Sequence, residues 1–367
     1  MAIPFVHIEA RGTYRELGRA VGEGARDEVH ASVAFFRDNF AAMTGGRLTF
    51  AHAERDALAY AEHARRALPQ YLEELEGLAE GSGLTLSELL VLNCGEEFTC
   101  SEPVEGLPLA ASGTSAGGDH CTAVAVASQG RHIVGHNMDW YVIDAVNNVF
   151  FDLTDPEGTR VMGIAGAPYL LMLGMNSHGV ASVSNSVHST DNRVGVPNVF
   201  VRRATLSAPT VGEARARGLL AGRARGTNHM FADTLGTLWD VETSATASAF
   251  MDDSDAGFAA HTNHYVSAEM QPFEGSDHEE SRVRIATAER MLAQGLEDAD
   301  DPVELVARVL RCHEPSPDLA ICGHPDESDP PADQGMTVGS MICDLDERRL
   351  YVCAGPPCQN PYQMYEM

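Results

Sequence analysis

The chain contains no lysine; all 25 of its basic residues are arginines. That absence removes Schiff-base chemistry, a lysine general base and a Walker-type phosphate loop. No run of about 18 apolar residues occurs, so no membrane-spanning helix is expected. The opening Met1-Ala2-Ile3-Pro4-Phe5 has no basic stretch leading into an apolar one. It therefore predicts no signal peptide and a cytoplasmic protein. Positive charge is scarce, with 53 acidic residues against 25 basic ones and a net charge of -28. Such a balance argues against nucleic acid or an anionic membrane as partner.

None of the eight cysteines forms a CxxC pair, and a reduced cytosolic state is expected for all of them. Cys312-His313 and Cys322-Gly323-His324 bring thiols and imidazoles close in sequence, but their spacing fits no zinc finger or ribbon. The favoured reading is core thiols and a loop histidine, with no metal and no organic cofactor.

With 367 residues, 44% of them hydrophobic, the chain has material for one large domain or two modest ones. Residues 1–100 read as mostly helical. Thr13-Tyr14-Arg15-Glu16 is a capping box opening an amphipathic run to about Phe40. Ala51–Leu68 continues as helix, Pro69 starts another, and Thr85–Leu92 is a short one. The next stretch, 101–120, is rich in Gly, Ser, Pro and Ala and predicts an exposed loop, the usual place for a cut. From Cys121 the pattern turns to strands: Cys121–Ala127 with a return at His132–Gly135, then Asn148–Leu153 with Thr159–Ile164. Further strands are expected at Gly179–Ser184, Met230–Asp233, Leu238–Glu242, Met341–Asp344 and Leu350–Cys353. Helices are expected at Thr210–Leu220, Ser281–Leu292 and Pro302–Cys312. Antiparallel strands with helix pairs between them indicate an α+β layered fold.

The chemistry concentrates at Gly118-Asp119-His120-Cys121, where the loop ends and an alternating strand begins. A cysteine in that place suits a residue that becomes a new N-terminus after scission between His120 and Cys121. A thiol attacks as thiolate, and its free pKa is about 8.5. An α-amine titrates near about 7.7–8.0, so the amine freed on the same residue could serve as base. The thiol itself could make the cut by attacking the His120 carbonyl. The plainer reading is a buried cysteine at a strand start.

Asp119-His120-Cys121-Thr122-Ala123 followed by Gly135-His136-Asn137-Met138-Asp139-Trp140 resembles the acyl-coenzyme A:6-aminopenicillanate acyltransferase family, self-processing N-terminal-nucleophile enzymes of the penicillin acyltransferase type. Similar segments follow in order over nearly the whole chain. They are Gly174–Ala181, Gly195-Val196-Pro197 with Arg202 or Arg203, His261-Thr262-Asn263-His264, Ser281 with Arg284, Met341–Asp344 and Gly355-Pro356-Pro357. The resemblance implies a four-layer αββα sandwich with a helical N-terminal pro-segment. Residues 1–120 would be the α-subunit after self-cleavage and 121–367 the catalytic β-subunit.

It also implies roles. Cys121 would process the chain and act as nucleophile, Asp139 would orient or polarise the new amine, and Asn263 would donate to the tetrahedral oxyanion. Asn137, Trp140 and His264 are expected around the pocket, His261 and His264 as framework for Asn263. The chain departs from the family at His120, where glycine is usual, and at Gln334, where the penicillin enzyme has an arginine. The departure at Gln334 and the acidic surface favour an amidase hydrolysing a small N-acyl compound through a thioester. An acyl-CoA-dependent acyltransferase is the alternative, and an uncut scaffold a third reading. The expected partners are a small-molecule amide, the two fragments of the chain and a possible second copy.

Overall fold

The computed structural model describes residues 5–99, 120–275, 278–298 and 301–367. The loop expected at 101–120 lies outside them except for His120. The N-terminal part runs β1 (Val6–Arg11), α1 (Tyr14–Gly24), α2 (Arg26–Met43), α3 (Phe50–Ala67), α4 (Pro69–Ser82), α5 (Leu86–Asn93) and α6 (Gly95–Thr99). After Cys121 come β2 (Thr122–Ser128), β3 (Arg131–Tyr141), α7 (Ile143–Val146), β4 (Asn148–Thr154), β5 (Arg160–Gly166), β6 (Gly174–Asn176) and β7 (Val180–Ser186). Next are α8 (Asn198–Leu206), α9 (Val211–Gly218), β8 (Thr227–Asp233), β9 (Leu238–Thr243), β10 (Ser248–Asp252) and β11 (Phe258–His261). The chain closes with α10 (Glu279–Asp298), α11 (Pro302–Leu310), β12 (Gly335–Asp344), β13 (Arg349–Ala354) and β14 (Gln363–Glu366).

Local chemistry explains many of these boundaries. The Thr13 hydroxyl accepts from the Glu16 amide while the Glu16 carboxylate accepts from the Thr13 amide, and Thr85 with Glu88 repeats the arrangement. Pro69 opens α4, where its missing N–H costs nothing. Helices α1 and α4 meet through Gly18, Gly22, Gly77 and Gly81; a Cβ on Gly18 would stand 1.7 Å from the Glu74 carbonyl oxygen. Only glycine allows that approach.

The strands form an eight-stranded sheet, β1-β4-β5-β6-β7-β8-β9-β10, and a six-stranded one, β11-β2-β3-β12-β13-β14. The alternation of β2 is the key to their stacking. Ala123 and Ala125 face the other sheet, where Phe150, Met162, Val183 and Met230 pack, and Val124 and Val126 face Leu292, Val306 and Leu310 of α10 and α11. Small residues point between the sheets and branched ones toward the helices, so both faces are buried. Helix α9 packs on the far face of the eight-stranded sheet through Ala214 and Phe231. The layers are thus αββα, as the resemblance implies. The N-terminal helices cover Val149, Phe151 and Leu153 of the same large sheet.

Four differences from the sequence reading have physical causes. The N-terminal segment is not helical throughout, because β1 pairs in parallel with β4. Strand β3 continues to Tyr141, so Asp139 and Trp140 sit on a strand. Every residue of α8 is buried, so it carries no polar stripe by which periodicity could find it. Strands β6, β10, β11 and β14 are short or lie toward sheet edges. No helix among the described residues is long and apolar enough to cross a membrane.

Candidate active site

Three strands deliver the expected residues to one end of the small sheet, and a fourth adds Thr337. Thr122 of β2 pairs with Asn137 of β3, so Cys121 enters the strand beside the stretch that carries Asp139. Strand β11 pairs with β2 through His261 and Ala123, which sends Asn263 past the same end. On the other side, Thr337 of β12 lies opposite Asp139. Cys121 is partly buried.

Arg284 of α10 ties these pieces together. Its Nη1 donates to the His120 carbonyl at 2.6 Å, to the Cys121 carbonyl at 2.8 Å and to the Thr122 hydroxyl at 3.1 Å. Its Nη2 donates to Asn263 Oδ1 at 2.9 Å. The family motifs picked out Arg284 without a role for it. Its place became visible only when α10 was folded against the start of β2.

Asp139 is buried, and neither carboxylate oxygen has a hydrogen-bond partner among the described residues. Burial raises its pKa to about 7, against the lowering pull of Thr337 and Arg284 nearby. Among the described residues no cation is in direct contact with this carboxyl, and an unpaired buried charge is expensive.

Asn263 is also buried. With Oδ1 held by Arg284, its Nδ2 donates to the Ser186 carbonyl at 3.0 Å, which leaves one amide hydrogen for another acceptor. Ser281 supports the loop: its hydroxyl accepts from the Asn263 amide at 2.7 Å and lies 2.7 Å from His264 Nδ1. His261 is anchored to buried Glu242 at 2.8 Å; that acidic surrounding raises the imidazole pKa to about 9 despite burial. Both imidazoles are thus bonded to buried groups on either side of Asn263. His264 is not among the residues lining the pocket around Cys121.

Asn137 is not at the pocket either. Its Nδ2 donates to the Leu310 and Ile321 carbonyls at 2.8 and 3.0 Å, clamping the two ends of the segment after α11 to β3. Trp140 does line the pocket, with Nε1 donating to the Tyr169 hydroxyl at 3.1 Å.

Two cavities meet at Asp139. The inner one, about 50 Å³, is lined by Cys121, Asp139 and apolar groups including Met138, Trp140, Leu173 and Val199. The outer groove, about 510 Å³, is bordered by His120, Asp139 and Arg284 and by the acidic side chains of Asp318, Asp326 and Asp329. Glu96, which precedes the expected cut, reaches the inner pocket and pairs with Arg202 at 2.7 Å and Arg225 at 3.3 Å. The Ser186 hydroxyl and Asn198 amide donate to it as well. Sequence reasoning missed Glu96, because an acidic residue on a short helix gives no local signal. Of the two arginines left open, Arg202 serves the pocket and Arg203 turns inward to buried Glu74.

The family model for acyl-coenzyme A:6-aminopenicillanic acid acyl-transferase matches residues 126–328, more than half of the chain. The chain belongs to this family. The matched span takes in Asp139, Asn263 and Arg284, and Cys121 stands just before it. The "acyl-coenzyme A:6-aminopenicillanic-acid-acyltransferase 40 kDa form" of Emericella nidulans is 24% identical over 260 residues, covering 71% of this chain and 69% of the relative. Among solved structures, penicillin V acylase from Agrobacterium tumefaciens is similar at 14% identity and TM-score 0.46, covering 64% of this chain and 82% of that one. A variant of conjugated bile acid hydrolase from Clostridium perfringens is similar at 12% identity and TM-score 0.45, covering 67% and 97%.

Proposed function

We propose that this family member is a self-processing amidohydrolase whose nucleophile is Cys121 at a newly made N-terminus. In the processing step the Cys121 thiol adds to the His120 carbonyl carbon. The C–N bond breaks, the nitrogen takes up a proton as the α-amine, and a thioester remains. Water hydrolyses that thioester to the His120 carboxylate and the free thiol. In turnover the amine accepts the thiol proton, the thiolate attacks the substrate amide, and the departing amine takes the proton. Water then releases the acid from the second thioester.

The observation that carries this reading is Arg284 on the His120 carbonyl, with a thiol and a partnerless buried carboxyl alongside. Arg284 stabilises the negative charge that develops on that oxygen. The freed amine is the cationic partner that Asp139 lacks, and the Asn263 amide hydrogen left over faces the substrate oxyanion in this reading. In this reading the acyl group enters the inner pocket, whose wall is mostly apolar, and the amine portion lies in the outer groove.

The groove's carboxylates favour hydrolysis over transfer from coenzyme A, because they repel a phosphorylated donor. The test is intact mass with activity. Purified protein should appear as fragments 1–120 and 121–367, and the cut form should hydrolyse a member of a panel of N-acyl compounds. Full activity in an uncut chain overturns the reading. Addition of a competing amine separates the alternatives, since a transferase diverts the acyl group to it.

A further inference from the structure

His313, Cys322, His324 and Cys358 come from three separate stretches: the start of the segment after α11, the loop before β12 and the turn after β13. Their ligand atoms all lie within 4.8 Å of one another. The two Nε2 atoms of His313 and His324 are 3.0 Å apart; Cys358 Sγ is 3.3 Å and Cys322 Sγ 4.0 Å from His324 Nε2. A tetrahedral zinc with Zn–N near 2.05 Å and Zn–S near 2.3 Å puts nitrogen pairs about 3.3 Å apart and nitrogen–sulfur pairs about 3.6 Å apart. The two nitrogen–sulfur separations fall on either side of their value, and the nitrogen pair stands slightly inside its own.

We propose that these four side chains form a structural zinc site. Two thiolates and two imidazoles are a donor set suited to zinc, and four protein ligands leave no open position for catalysis. Gln359 stands 3.5 Å from His324 Nδ1, where it steadies the ring. The sequence spacing concealed the set. Cys312, which looked like a ligand, instead accepts from the Glu314 amide at 3.4 Å, and Cys358 supplies the fourth place from beyond β13.

The site has a structural task. Between Cys322 and His324 lies Gly323, whose amide donates to the Thr337 hydroxyl at 2.9 Å and whose carbonyl accepts from the Thr337 amide at 3.1 Å. Thr337 pairs with Asp139. Zinc would fasten this loop to the C-terminal turn and hold one wall of the outer groove. The inference does not depend on the acyl-transfer reading.

The test uses the full chain carrying Cys121→Ala, so that the pocket thiol cannot compete for metal. Elemental analysis should find about one zinc per chain. Replacement by Co²⁺ should give the visible bands of a tetrahedral ion with a thiolate charge-transfer band. Cys358→Ser, at an exposed position, and His324→Ala should lose the metal, and Cys312→Ser should keep it. Three results each overturn the proposal: no stoichiometric Zn²⁺ uptake by protein first stripped with a chelator under reducing conditions, undiminished binding by Cys358→Ser, or recovery of Cys322 and Cys358 as a disulfide in the unreduced mass map.

Discussion

The guanidinium of Arg284 donates to the carbonyl oxygen of His120 at 2.6 Å, and the same nitrogen reaches the Cys121 carbonyl. One cation thus grips both sides of the peptide bond at which the proposed cut falls. Arg284→Gln should slow the appearance of the two fragments by roughly 10²–10³, the scale for loss of one oxyanion donor. Time-resolved intact mass reads the rate, and circular dichroism checks that the variant is folded. Cleavage at the parent rate would remove Arg284 from the processing step.

Cys121→Ala should remain one chain of 367 residues and have no amidase activity. Appearance of the same fragments in this variant would mean that another protease makes the cut.

Asp139 should leave a signature in the pH dependence of stability. Its folded carboxyl holds a proton up to about pH 7, whereas the unfolded one releases it near 3.8. Between those values the native state binds more protons, so stability falls as pH rises, and it levels off above 7. The upper bound is on the order of 4 kcal/mol, since each tenfold change in proton affinity corresponds to ~1.4 kcal/mol. In an uncut Cys121→Ala background, Asp139→Asn should therefore gain in thermal midpoint relative to its parent between pH 4 and pH 8. An equal gap at both pH values would mean an ordinary carboxylate.

Asn263→Ala should fold, cut itself and lose roughly 10²–10³ in turnover with little change in KM. Unchanged turnover would leave Asn263 as a loop support held by Arg284 and Ser281.

Much of the frame was legible in the sequence because local rules dictate it. Thr13 with Glu16, Thr85 with Glu88 and Pro69 mark helix starts by chemistry within one turn. The alternation after Cys121 marks β2, since period two buries alternate side chains. Order along the chain singles out Cys121, Asp139 and Asn263 as candidates, and pairing of β2 with β3 and β11 brings their backbone to one end of the small sheet. Arg284 and Glu96 could not be given roles, because they act on groups 164 and 106 residues away, as in the bonds to His120 and Arg202. Asn137 was expected at the pocket for a related reason: its neighbours Met138, Asp139 and Trp140 line it, but its own side chain bonds to the Leu310 and Ile321 carbonyls in the layer behind.

Strand β1 contributes a further consequence. It is laid down before residue 120, yet its hydrogen bonds run to β4, which is made after it. Glu96 likewise belongs to the earlier portion and fills a wall beside Cys121. Severing the backbone would therefore yield two polypeptides that stay interlocked, melt as one and copurify. Neither, translated alone, would possess a finished core.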